Sequence, residues 1–174
     1  MRFNLLLIFL FFPCVVLAKS SVIFGYAGFF GSQSVGYVHD VLDSHEAELS
    51  VGRYSRGHSL FGYQVNFSYR YHPWLIRFDH FSWSPLEIGA FGIYSLEKTF
   101  FLSSPSKYPT PDYYEQTAFR WGIENGASLL FFNERLSLGV VTRLIDSGMV
   151  AIYNNSNRDL QYYLSSGFRL EYRF

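Results

Sequence analysis

Between Phe61 and His72 the chain alternates without a fault: Phe61, Tyr63, Val65, Phe67, Tyr69 and Tyr71 are interleaved with Gly62, Gln64, Asn66, Ser68, Arg70 and His72. A period of two belongs to an extended strand, whose successive side chains point to opposite faces. The segment therefore has one apolar, aromatic face and one polar face. A tilted strand of about 9–11 residues crosses a bilayer, so this one is long enough to do so.

The chain ends on the same pattern, with Phe168, Leu170, Tyr172 and Phe174 on one face and Arg169, Glu171 and Arg173 on the other. Ser165, Gly167, Leu170, Tyr172 and the terminal Phe174 resemble the C-terminal sequence by which the bacterial barrel-assembly machinery recognises its substrates. On these residues, and on the export segment described below, the chain resembles the small, eight-stranded outer-membrane β-barrel proteins of Gram-negative bacteria. That resemblance implies the assembly machinery as a partner during biogenesis, and outer-membrane lipid and lipopolysaccharide as surroundings.

Shorter alternations predict further strands. Ala47, Leu49 and Val51 oppose Glu46, Glu48 and Ser50; Phe119, Trp121 and Ile123 oppose Arg120, Gly122 and Glu124; Leu136, Leu138 and Val140 oppose Ser137, Gly139 and, beyond Val141, Arg143. Segments near 74–82 and 86–94 are read as two strands joined by a turn at Trp83-Ser84-Pro85. A first strand is placed near Val22–Phe30, although its apolar runs would also suit an interfacial segment and residues 19–44 could instead form a plug. Short turns are expected near Tyr54–Ser59, Trp83–Pro85 and Asn133–Arg135, with a tight corner at His72-Pro73. Longer loops are expected at Gly31–Ser44, Ser95–Asp112 and Ser147–Arg158. Short turns on one side and long loops on the other suit an outer-membrane barrel with both termini in the periplasm.

In hydrocarbon every backbone N–H and C=O must be paired within the protein, so such strands have to close into a ring. The expected fold is all-β, a single antiparallel transmembrane β-barrel of about eight strands, a size whose interior is just wide enough to be filled by side chains. The alternation sends Glu46, Glu48, Arg70, Arg77, Asp79, Glu87, Arg120, Glu124, Arg143, Arg169, Glu171 and Arg173 inward. Acids and bases are equal in number, which favours interlocking ion pairs filling the lumen over a charge-selective channel. Tyr63, Tyr69, Tyr71, Trp74, Trp121, Tyr172 and Phe174 are expected to form interfacial girdles.

The N-terminus sets the compartment. Arg2 precedes an apolar run from Leu5 to Phe12, followed by Val16-Leu17-Ala18, which suits a peptidase cutting after Ala18. Residues 1–18 are read as a signal peptide and 19–174 as the barrel. Cys14 falls within the removed segment, so no disulfide or thiolate metal site is expected in the mature chain. His39, His45, His58, His72 and His80 are dispersed, and neither a metal nor a cofactor is expected. With 14 basic and 14 acidic residues there is no excess charge to attract nucleic acid. Aromatic residues make up 21% of the chain and charged residues only 16%, a balance that suits an apolar solvent on one side.

Two segments carry candidate chemistry. In Asp79-His80-Phe81-Ser82, His80 and Ser82 are two apart and share a strand face, and a histidine beside a hydroxyl is the minimum for base-assisted nucleophilic attack. This His-x-Ser pair resembles that of outer-membrane lipid A deacylases, which implies Ser82 as nucleophile and His80 as its base. Asp79 alternates to the other face, and a turn at Trp83–Pro85 would set Glu87 opposite Phe81 on the lumen side. The second segment, Ser103–Tyr114, is stiffened by Pro105, Pro109 and Pro111 and carries Tyr108, Tyr113 and Tyr114, which suits recognition of an external partner. The leading expectation is a structural or surface-interaction barrel of the outer membrane. A lipid A hydrolase and a narrow channel are the alternatives.

Overall fold

In the computed structural model the described residues are 20–56, 60–96, 118–154 and 163–174. The segment 1–18 and the tyrosines 108, 113 and 114 lie outside them. The strands are β1 (Ser20–Tyr26), β2 (Gln33–Leu42), β3 (His45–Arg56), β4 (Leu60–Tyr71), β5 (Ile76–Arg77), β6 (Phe81–Ser95), β7 (Phe119–Phe131), β8 (Leu136–Ile145) and β9 (Leu164–Arg173). A 3-10 turn covers Gly28–Phe30, and a helix, α1, covers Asp146–Asn154.

Every pairing is antiparallel. β4 pairs with β6 as well as with β3, and β1 pairs with β9 as well as with β2, so the sheet closes on itself. Eight strands make the ring, and the two-residue β5 hangs from the start of β6 through Ile76↔Trp83 and Arg77↔Ser82. The fold is thus a closed, eight-stranded antiparallel barrel. β1 begins and β9 ends at one rim, the terminal rim, where the Phe174 amide donates to the Ser20 carbonyl at 3.1 Å. The links β2–β3, β4–β6 and β7–β8 share this terminal rim. At the opposite, loop rim β1, β3, β6 and β8 end and β2, β4, β7 and β9 begin.

Eight strands were expected, but the structure draws two of them elsewhere. The stretch Gly31–Ser44, read as a loop, is mostly β2. Its inward positions are Ser34, Gly36, Val38 and Asp40, and apart from Val38 they are small or polar residues that look like a loop until their strand partners are known; a Cβ on Gly36 would meet the Leu49 carbonyl oxygen at 2.5 Å. Conversely, Trp83–Pro85 is no turn. β6 runs straight through it with a bulge between Ser84 and Glu87, and Pro85, which has no N–H to give to a ladder, sits in that bulge. Residues 72–80 fold back as a connection instead of forming a strand over 74–82. As a result the 54–59 link falls at the loop rim, not with the short turns of the terminal rim, and the His72-Pro73 corner moves to the terminal rim.

The bulge also fixes which side chains face in. Ser82 and Ser84 are buried ahead of it and Glu87 and Phe91 after it, so one extra residue switches the inward set from even to odd numbers. Around the ring the outward positions are apolar and exposed, among them Phe24, Val35, Leu49, Phe67, Ile88, Ile123, Val140 and Leu170. Tyr63 and Trp121 are exposed toward the loop rim, and Tyr69, Tyr71, Trp74, Tyr172 and Phe174 toward the terminal rim. The buried set is largely polar: Ser21, Ser50, Gln64, Asn66, Ser128 and a cluster of glutamates and arginines. The usual disposition of a water-soluble domain is inverted.

Candidate functional site

The interior of the ring is the site, and its charges are set by strand register. Glu46 lies directly across from Arg70 on β3 and β4, and Glu124 from Arg143 on β7 and β8. At the centre, Arg70 is 1% exposed. Its guanidinium reaches Glu48 at 2.5 Å, Glu46 at 3.3 Å and Glu124 at 3.9 Å. Arg143, also 1% exposed, gives its Nε–H to Glu124 at 2.7 Å. Arg169 pairs with Glu87, and Arg173 bridges Glu46 at 2.5 Å and Glu171 at 3.0 Å. Small inward residues make room for these long side chains: a Cβ on Gly139 would come within 3.0 Å of the Arg169 guanidinium.

Four of the five carboxylates take a hydroxyl as well, and Glu46 has Arg70, Arg173 and His72 around it instead. Ser50 donates to Glu48 at 2.9 Å, Ser21 to Glu171 at 2.6 Å, Ser128 to Glu87 at 2.6 Å, and Ser68 to Glu124. Two or more partners per carboxylate are what burial demands, since a buried charge with an unfilled lone pair costs more than its ion pair returns.

Of the twelve charged residues expected inside, nine form this buried network: Glu46, Glu48, Arg70, Glu87, Glu124, Arg143, Arg169, Glu171 and Arg173. Arg120 sits inward near the loop rim, paired with Asp146 at 2.7 Å where α1 begins. The other two lie elsewhere. Arg77 is on the outlying β5, largely exposed and 3.0 Å from Glu134, and Asp79 is exposed in the bend before β6. Both were misplaced for the reason given above, that 74–80 is a connection and not a ring strand.

His72 is the member that the charge pattern did not single out. It continues the inward parity of Asn66, Ser68 and Arg70 one step past the end of β4. Nε2 lies 3.0 Å from Glu46 and Nδ1 3.6 Å from Glu87, so the ring links the two halves of the network. Beside it a cavity of about 120 Å³ opens toward the terminal rim, lined by Glu46, Glu87, Arg169, Glu171 and Arg173 among others.

The loop rim is closed differently. The 3-10 turn Gly28–Phe30 folds into the barrel mouth, and Phe30 is 1% exposed. Phe29-Phe30 is therefore an internal plug, neither the end of the first strand nor an interfacial segment. Gln64 donates to the Phe29 carbonyl at 2.7 Å and Asn66 to the Phe30 carbonyl at 3.4 Å. The Arg143 guanidinium lies 3.8 Å from the Phe30 ring centroid and 4.7 Å from that of Phe91. No other residue type at position 52 would suit the plug, because a Cβ there would overlap the Phe30 carbonyl oxygen.

His80 and Ser82 line one cavity at the start of β6, together with Asp79 and Glu134. His80 is exposed in the bend, whereas Ser82 is buried and points inward, with Phe81 outward between them. The Ser82 hydroxyl donates to Glu134 at 3.3 Å, and among the described residues no hydrogen bond joins it to His80. Glu87 is not across from Phe81, whose partner is Phe131.

No family model matches this chain, and no curated protein matches it. Among solved structures it is similar to the N-terminal β-barrel domain of Pseudomonas aeruginosa OprF, at 12% identity over 90% of this chain and 96% of that one, with a TM-score of 0.44.

Proposed function

We propose that this chain is an integral outer-membrane β-barrel with a structural or surface-interaction role and a lumen filled by ion-paired side chains. The observation that carries the reading is the inversion of solvents: exposed aliphatic and aromatic side chains around the ring, buried guanidinium and carboxylate groups within it. An apolar exterior of this extent is stable against lipid tails and costly in water. The closed ring supports the same reading, because none of its eight strands has an unpaired edge to meet hydrocarbon.

On this proposal residues 1–18 direct export and are cut off after Ala18, and the barrel-assembly machinery reads Gly167, Leu170, Tyr172 and Phe174. Lipid and lipopolysaccharide surround the barrel, and the segment holding Tyr108, Tyr113 and Tyr114 is offered to an external partner at the loop rim. The Phe30 plug and the Arg70 cluster favour a structural lumen over a conducting one, since together they occupy the bore from the loop rim to mid-height.

The test is to unfold the purified mature polypeptide in urea and dilute it into phospholipid vesicles. The expected result is vesicle-associated protein that migrates differently on gels before and after boiling. A polypeptide that stays soluble and monomeric without lipid or detergent would overturn the proposal. In planar bilayers the inserted protein is expected to show no discrete conductance steps.

A further inference from the structure

One row on the outer face of the barrel does not match its surroundings. Register sets Asn125 of β7 across from Thr142 of β8, and Thr142 across from Ser166 of β9. All three alternate outward, since Glu124, Arg143 and Gly167 beside them are buried. Asn125 and Ser166 are exposed and Thr142 is half-buried. Their neighbours on the same face, Ile88, Ile123, Val140 and Phe168, are exposed and apolar. By contrast, the outward mid-strand positions across the ring, on β2, β3 and β4, are Val35, Leu49, Val51 and Phe67.

The two hydroxyls satisfy each other, with Thr142 Oγ1 and Ser166 Oγ 3.0 Å apart. The Asn125 carboxamide has no hydrogen-bond partner among the described residues. It sits at the middle of β7, where a lipid tail offers no donor or acceptor, and a bare amide at that depth is costly. The same side of the barrel is thin, with Ala90 and Ala127 outward beside the row, so another backbone can come close.

From these features we infer that the β7–β8–β9 face is an interface with a second copy of this chain. A carboxamide is both donor and acceptor and so is its own complement: a two-fold axis normal to the membrane sets Asn125 against the same residue of the partner, filling both amides at once. Small residues around the axis admit the approach, and the apolar flanks meet each other. The inference rests on the membrane reading proposed above, because only hydrocarbon makes an exposed amide demand a partner.

The experiment uses the mature polypeptide, residues 19–174, which has no cysteine of its own, reconstituted in phosphatidylcholine vesicles and oxidised with copper phenanthroline. Asn125→Cys is expected to give a disulfide-linked dimer, and Leu49→Cys, on the far side of the ring, none. Asn125→Leu combined with Thr142→Val is expected to lower the dimer fraction of otherwise unmodified protein about tenfold, from the loss of its interfacial hydrogen bonds, with heat-modifiable migration unchanged. Protein that inserts but gives no Asn125→Cys dimer, or a double variant that dimerises as well as its parent, overturns the interface alone and leaves lipid covering the row. Protein that does not enter vesicles at all overturns both the interface and the membrane reading beneath it.

Discussion

The guanidinium of Arg143 stacks on the ring of Phe30, 3.8 Å from its centroid, and so joins the plug at the loop rim to the charged network below it. Arg143 gives its Nε–H to Glu124, while its two terminal nitrogens have no hydrogen-bond partner among the described residues. The faces of Phe30 and Phe91 take the place of those partners, as aromatic rings do for a desolvated cation.

Truncating that ring is expected to loosen both parts at once. Phe30→Ala removes a fully buried aromatic and the cover over Arg143, and should destabilise the barrel by about 3–5 kcal/mol. Urea unfolding followed by tryptophan fluorescence reads the change. A loss below about 1 kcal/mol would mean the plug merely rests in the mouth.

Arg70 provides a sharper contrast. Arg70→Met leaves Glu46 and Glu48 facing one another without their shared cation and should cost about 3–5 kcal/mol. Adding Glu48→Met removes one of the stranded carboxylates, and the double variant should recover part of the loss. The same unfolding assay, run as a double-mutant cycle, gives a coupling energy between the two positions; additive losses would show that they do not act as a pair.

The turn that joins β7 to β8 has positive φ at three consecutive non-glycine residues, Phe132 at 53°, Asn133 at 58° and Glu134 at 65°. Left-handed backbone costs a residue with a Cβ about 1–2 kcal/mol, less for asparagine. Phe132 is exposed, so Phe132→Gly should raise stability by up to about 1 kcal/mol at no cost in packing. Glu134→Gly relieves the same backbone but deletes the carboxylate that Ser82 and Arg77 share, and should gain less.

At the C-terminus, removal of Phe174 is expected to lower the amount of protein recovered in the outer-membrane fraction of cells. Phe168→Ala, a substitution on the same face but outside the terminal sequence, should lower it less. Equal recovery of the two would separate the terminal aromatic from any role in assembly.

How much of this was legible depended on whether a strand meets one solvent per face. β4 and β9 do, and their alternation gave both the strand and the inward positions of Arg70, Arg169 and Glu171. In β2 the inward side is narrowed by Gly36 and Ser34 to let neighbouring backbone approach, so the contrast between its faces is weak and the segment resembles a loop. Pro85 reads as punctuation in any local pattern; only the register of β7 against β6 shows it lodged in a bulge. The same displacement took Arg77 and Asp79 out of the lumen. His72 had its indication in plain view, as the next inward position after Arg70, obscured by the proline that follows it. That Phe30 turns back into the bore has no local indication, because it depends on Gly52, Gln64 and Asn66 of two other strands.

The seam between β1 and β9 joins the first strand to the last. Until β9 is made, β1 and β8 each keep a bare edge. Closure of the ring must therefore wait for β9, and whatever escorts the chain beforehand has to shield two sticky margins rather than one.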